Sequence, residues 1–221
     1  MRTMLLTMVS LTIASAACAQ QPQQQAREED PTRKVAGSGA PAGWNIRLDA
    51  KDKARYTVND TKFSQMGAGL HVTSGPAALY HKGNVPAFTS LSATFVQMEA
   101  PRHPEAYGLF FGGKNIDDDN GQEYVYFLIR GDGQYNISHR AGAEVHRIIN
   151  WTPNAAIVKQ DSTGKARNTL SVAVDADSVR FQVNGTTVHA MPRTTIRTVD
   201  GVAGLRVNHN LNVHIDGYSV K

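Results

Sequence analysis

From Trp44 to Lys221 the apolar residues fall in short runs rich in Val, Ile, Phe, Tyr and Thr, separated by Gly, Asn, Asp and Pro. Many of these runs alternate apolar and polar positions, the period of a half-buried strand. The runs at 44–48, 55–58, 69–73, 77–81, 88–98, 107–112, 123–130, 134–140, 144–149, 168–176, 179–184, 186–191, 201–208 and 212–220 are expected to be strands. No segment holds a 3.6-residue apolar period over three turns, so crossover helices are not expected and a parallel α/β sheet is excluded. The pattern predicts an all-β fold, an antiparallel two-sheet β-sandwich of the jelly-roll kind.

Two turns are marked in the sequence. Asn184-Gly185 lies between alternating runs, and both residue types tolerate the positive φ of a type I′ hairpin turn. Gly131-Asp132-Gly133 closes the pair before it. With Arg130 it also spells Arg-Gly-Asp, a tripeptide known from adhesion. A hairpin turn accounts for the same residues.

The first segment has a different character. MRTMLLTMVSLTIASAACAQ carries Arg2, an apolar stretch from Met4 to Ala14, then small residues. It is too short and too often interrupted by Ser and Thr for a membrane span. It is expected to be an export signal over residues 1–19, so the chain is expected to be exported. Two processing routes fit. Ala17-Cys18-Ala19 matches an A-x-A cleavage site, leaving Gln20 first. Ser15-Ala16-Ala17-Cys18 resembles a bacterial lipobox, with Ser15 where that motif usually has Leu and Cys18 as the lipidated residue. The expected location is the periplasm, the outer membrane as a lipoprotein, or the exterior, with membrane contact only through such an anchor. Residues 20–42 are polar with Pro and Gly. They are expected to form a flexible linker ahead of one domain at 43–221.

The chain has 221 residues, 41% of them hydrophobic and 19% charged, enough to bury a core. Its net charge of +4 comes from scattered Lys and Arg without a run, so nucleic acid is not an expected partner. Cys18 is the only cysteine. The mature domain therefore has no disulfide, no zinc–thiolate site and no cysteine nucleophile.

Candidate chemistry concentrates in GGKNIDDDNGQEYVYFLIR, residues 112–130. The EF-hand pattern needs Gly at its sixth position and Glu at its twelfth. Counting from Asn115 gives Asn120 and Tyr126, and counting from Asp117 gives Gln122 and Leu128. An EF-hand is excluded. An irregular calcium site could still form from Asp117 and Asp119, or the acids could simply build an inter-strand turn. Glycoside hydrolysis usually takes two carboxyl groups. Glu123 is the one acid on its run, and a Glu-x-Asp-x-x-Glu pattern is absent. Glu123 is therefore either a structural strand residue or a catalytic acid lacking an evident partner. Val125, Phe127 and Ile129 share one face and suit the core. Tyr124, Tyr126, Leu128 and Arg130 share the other. Tyr124, Tyr126 and Arg130 could line a sugar groove by ring stacking and hydrogen bonding, or could pack across strands. Trp151, in Trp-Thr-Pro, is a core or rim anchor or a ligand platform. His209 and His214 are five apart, which suits no metal pair.

The order Gly75-Pro76-Ala77-Ala78-Leu79-Tyr80, Tyr107-Gly108-Leu109-Phe110-Phe111-Gly112, 124–129, Gly131-Asp132-Gly133, Trp151-Thr152-Pro153, 168–172, 181–185, Gly204-Leu205-Arg206-Val207 and 215–220 resembles bacterial concanavalin A-like lectin/glucanase (laminin-G-like) domains over residues 43–221. The same pieces are similar to the neighbouring 3-keto-disaccharide hydrolase (DUF1080) family, whose Gly-x-Glu before a central strand is matched by Gly121-Gln122-Glu123. The first resemblance implies non-catalytic recognition of a glycan or oligosaccharide at the envelope. The second implies a glycoside hydrolase with Glu123 as acid/base. A structural envelope lipoprotein with protein partners is a third expectation. No cofactor is implied beyond calcium at Asp117 and Asp119.

Overall fold

The computed structural model describes residues 31–196 and 198–221. The expected signal segment, Cys18 and the expected linker up to residue 30 lie outside the described residues. The described residues form fourteen strands: β1 (Asn45–Leu48), β2 (Thr61–Met66), β3 (Gly69–Ser74), β4 (Ala78–Val85), β5 (Ser90–Gln97), β6 (Ala106–Lys114), β7 (Glu123–Arg130), β8 (Gln134–Ala141), β9 (Glu144–Pro153), β10 (Ala166–Val174), β11 (Ser178–Val183), β12 (Thr186–Pro192), β13 (Gly201–Val207) and β14 (Asn212–Val220).

They make two seven-stranded sheets, one ordered β1-β4-β13-β6-β7-β8-β9 (sheet A) and the other β12-β11-β10-β5-β14-β3-β2 (sheet B). The pairings are antiparallel throughout. The chain passes between sheets repeatedly, as in a jelly roll. One face of each sheet meets the other across the core. Leu91, Ala93 and Phe95 of β5 point inward from sheet B, and Val125, Phe127 and Ile129 of β7 point inward from sheet A. Phe181 joins them, its ring 5.3 Å from Phe127 and 6.3 Å from Phe111.

The turn chemistry is as the sequence indicates. Asn184 and Gly185 take φ of 52° and 81° between β11 and β12. The Asn184 amide also bridges to the Ala156 carbonyl and Asn168 Oδ1, both at 2.8 Å, while its Oδ1 accepts from the Thr169 N–H. Gly133 N–H donates to the Arg130 carbonyl at 3.0 Å, and Asp132 pairs with Arg130 at 2.8 Å. The Arg-Gly-Asp tripeptide is thus folded on itself as a hairpin turn.

Three expectations need correction. Residues 55–58 are not a strand. They lead into a short 3-10 turn (Val58–Asp60) closed by a capping box between Thr57 and Asp60. Thr57 and Asp60 bond to nearby backbone more readily than they extend. The run that follows, β2, was not anticipated. It carries only one large inward residue, Phe63, beside a buried Thr61, so its alternation is too thin to see. Part of the expected linker also lies against the domain. Arg33 N–H donates to Asn210 Oδ1 at 2.6 Å, the Asn210 amide donates to the Pro31 carbonyl at 3.0 Å, and Gly37 N–H donates to the Asn59 carbonyl at 2.7 Å. Backbone groups hold this segment, and apolar patterning gives no sign of them.

Candidate functional site

The outward face of sheet A is unusual because it is also apolar. Leu79 of β4, Phe110 of β6, Tyr124, Tyr126 and Leu128 of β7 and Val202 of β13 form a second buried cluster there. Two connections fold over it, the turn after β1 and the 115–122 loop between β6 and β7. This explains why β6 and β7 are buried on both faces and why Tyr124 is fully buried.

Charged side chains sit among these rings. Arg206, on β13 opposite Gly108 and Leu79, reaches Asp49 Oδ2 at 2.6 Å and the Tyr124 hydroxyl at 3.2 Å. Its guanidinium lies 5.0 Å from the Tyr126 ring centre, a cation–π distance. Arg140 and Arg47 approach Asp49 at 3.7 and 3.9 Å. Burial works against the charge on Asp49, but Arg206, then Arg140 and Arg47, outweigh it and hold the carboxyl below its ordinary pKa. Burial likewise opposes the Arg206 charge, and Asp49 more than offsets it, pushing the guanidinium pKa up.

The three consecutive aspartates have separate jobs. Asp119 turns inward and accepts from Arg47 at 2.8 Å and Lys53 at 2.6 Å, joining the two covering segments. Asp118 caps its own turn, accepting from the Asn120 N–H at 3.0 Å. Asp117 faces a cleft of about 860 Å³, shared with Asp118, Asp200, Lys114 and Val85. Asp117 and Asp119 therefore do not converge. Among the described residues no group of three His, Cys, Asp or Glu side chains is placed to hold a metal ion. His81 is buried near Asp117. Burial pushes its pKa down, and Asp117 partly opposes the shift.

Glu123 opens the strand on the inward side, at the end of the sandwich. It meets His139 Nε2 at 3.2 Å in a cleft of about 400 Å³ lined also by His146, Ile148 and Ile196. It is the only acid lining that cleft among the described residues. The nearby Glu144 is exposed and contacts His146 at 3.1 Å.

Of the remaining candidates, Arg130 and Trp151 come together. The guanidinium stacks 4.3 Å from the Trp151 ring centre, at the half-buried margin of the outward apolar cluster. Tyr126 is almost covered, at 8% exposure, and Tyr124 presents no ring face to solvent. Sequence reasoning missed Arg47, Asp49, Arg140, Arg206 and His139. The one available signal was an arginine inside the apolar runs at 44–48 and 201–208, which has to find a partner when buried.

No protein-family model and no curated protein matches the chain. Solved structures do match. One is a carbohydrate-binding module, CBM66, from Bacillus subtilis, at 9% identity, covering 86% of this chain and 99% of that one with a TM-score of 0.55. A family 16 glycoside hydrolase from Bacteroides ovatus, in complex with a G4G4G3G product, is 9% identical over 80% and 94% of the two chains, with a TM-score of 0.56. The fold is a concanavalin A-like jelly roll. A Bacillus licheniformis β-glucanase shares this concanavalin A-like sandwich at 8% identity, over 85% and 96% of the chains, with a TM-score of 0.51. At these identities the likeness is one of fold, which fixes no activity.

Proposed function

We propose that this chain is an exported, non-catalytic carbohydrate-recognition domain that uses the Arg130–Trp151 margin of the outward face of sheet A. The observation that carries the proposal is the Arg130–Trp151 stack at the margin of an apolar, arginine-bearing sheet face. An indole takes the apolar face of a pyranose, and a guanidinium donates to its hydroxyls. Similarity to a carbohydrate-binding module and to glucanases supports the same class of ligand. Export and an envelope or extracellular location rest on the N-terminal segment.

A panel of oligosaccharides titrated against the full chain, with calcium and with chelator, tests the proposal. A ligand at about 100 times its Kd adds about 2.7 kcal/mol of stability. Trp151→Ala is expected to weaken the bound sugar by roughly tenfold, the scale of one aromatic contact. Equal affinity in the variant overturns the assignment of this face.

A second reading, a glycoside hydrolase acting through Glu123, is favoured by one observation: Glu123 meets His139 in an open cleft. The paired-carboxylate route needs a second acid, and the cleft offers none among the described residues. Turnover of any bound oligosaccharide, measured as new reducing ends, separates the two readings.

A further inference from the structure

Four cationic side chains, Arg47, Arg140, Arg206 and Lys53, converge on two carboxylates, Asp49 and Asp119. The group carries two positive charges in excess. Arg47 and Arg206 are buried, at 4% and 6% exposure, and their guanidiniums are not satisfied. Arg47 Nε and Nη1, Arg206 Nε and Arg140 Nε are all buried without a hydrogen-bond acceptor. Leaving such donors unpaired is costly, more so for charged groups. A core built only for stability would match its charges or replace them with apolar residues.

Asp49 and Asp119 differ in how they are held. Asp49 is anchored directly after β1, its N–H bonded to the Ala77 carbonyl, and its side chain is 5% exposed. Asp119 rides on the 115–122 loop, its side chain is 39% exposed, and it reaches the cluster from solvent. Its carboxylate enters between Arg47 and Lys53 as a carboxylate from outside would.

We propose that the outward face of sheet A selects acidic glycans, and that a uronate carboxylate binds Arg47 and Lys53 in place of Asp119. This rests on the carbohydrate reading of the same face and adds the class of sugar. Asp119 is then an internal competitor. Displacing it exchanges one carboxylate for another. A guanidinium takes a carboxylate in bidentate fashion, and neutral sugars offer nothing equivalent.

The test titrates the full chain by calorimetry with oligogalacturonate of four to six residues and with a neutral cello-oligosaccharide of the same length. The acidic oligomer is expected to bind at least tenfold tighter, and its affinity is expected to fall as salt rises. Asp119→Asn removes the competing charge while keeping the side chain's shape. It is expected to tighten oligogalacturonate roughly tenfold and leave a neutral ligand unchanged. Lys53→Met, at an exposed side chain, is expected to weaken oligogalacturonate severalfold and gives an independent arm if Asp119→Asn does not fold. Equal binding of acidic and neutral oligomers overturns the acidic selection and leaves carbohydrate recognition standing. Binding of neither overturns both. Unchanged or weaker acidic binding in Asp119→Asn overturns the displacement.

Discussion

Asp49→Asn isolates the charge at the centre of the outward cluster with almost no change of volume. Asp49 accepts from Arg206 at 2.6 Å while both side chains are nearly solvent-free, 5% and 7% exposed. Asparagine keeps one acceptor but turns an NH₂ toward guanidiniums that can only donate. The variant leaves Arg206 buried against a neutral group. Breaking a buried ion pair from one side costs about 3–5 kcal/mol, and the retained acceptor puts Asp49→Asn near the lower end, about 3 kcal/mol. For a domain of this size that lowers Tm by roughly 6–12 °C. Urea and thermal unfolding at pH 7 measure the loss. The sign of the pH dependence follows from the depressed carboxyl. Asp49 titrates below its ordinary value of 3.8 when folded, so its contribution is fully present above that value and is lost as pH falls through the lower folded value. The stability gap between wild type and Asp49→Asn should therefore hold from pH 7 down to about pH 5 and close in acid. A loss under about 1 kcal/mol at pH 7, or a gap that widens in acid, would refute the account of Asp49 as the counter-charge.

Other outcomes follow from single contacts. Asn184→Ala loses the amide's bonds to Ala156 and Asn168 and puts alanine at a positive φ, so unfolding should show a loss of about 2 kcal/mol. Asn184→Gly, which keeps only the backbone freedom, should recover part of it. Tyr80→Phe removes the hydroxyl 2.8 Å from Thr61 Oγ1 between β4 and β2. Denaturant titration should register about 1 kcal/mol, with the fold intact.

The sandwich was legible because alternation is a local property. A strand with one face in the core writes apolar residues at every second position, as in β5, β10 and β11, while β6 and β7, buried on both faces, read as continuous apolar runs. β2 fails because Thr61 and Phe63 supply only one large inward side chain. The polarity of β7 was also legible, with Val125, Phe127 and Ile129 falling inward and Tyr124 and Tyr126 outward. What lies over the outward side was not. Parity distinguishes two faces but does not say whether loops cover one of them, so Tyr124 and Tyr126 suggested an open groove where the structure buries them.

By itself the sequence determined fold class, hairpin turns and a globular region without disulfides, because each depends on neighbouring residues or on composition. Only the tertiary structure decided the charge network. Arg47 and Asp119 are 72 positions apart, and Asp49 and Arg206 are 157 apart. The three adjacent aspartates diverge for the same reason. One caps its turn, one faces a cleft, and one crosses to a buried arginine, because side chains are placed by what packs around the loop and not by their spacing along it.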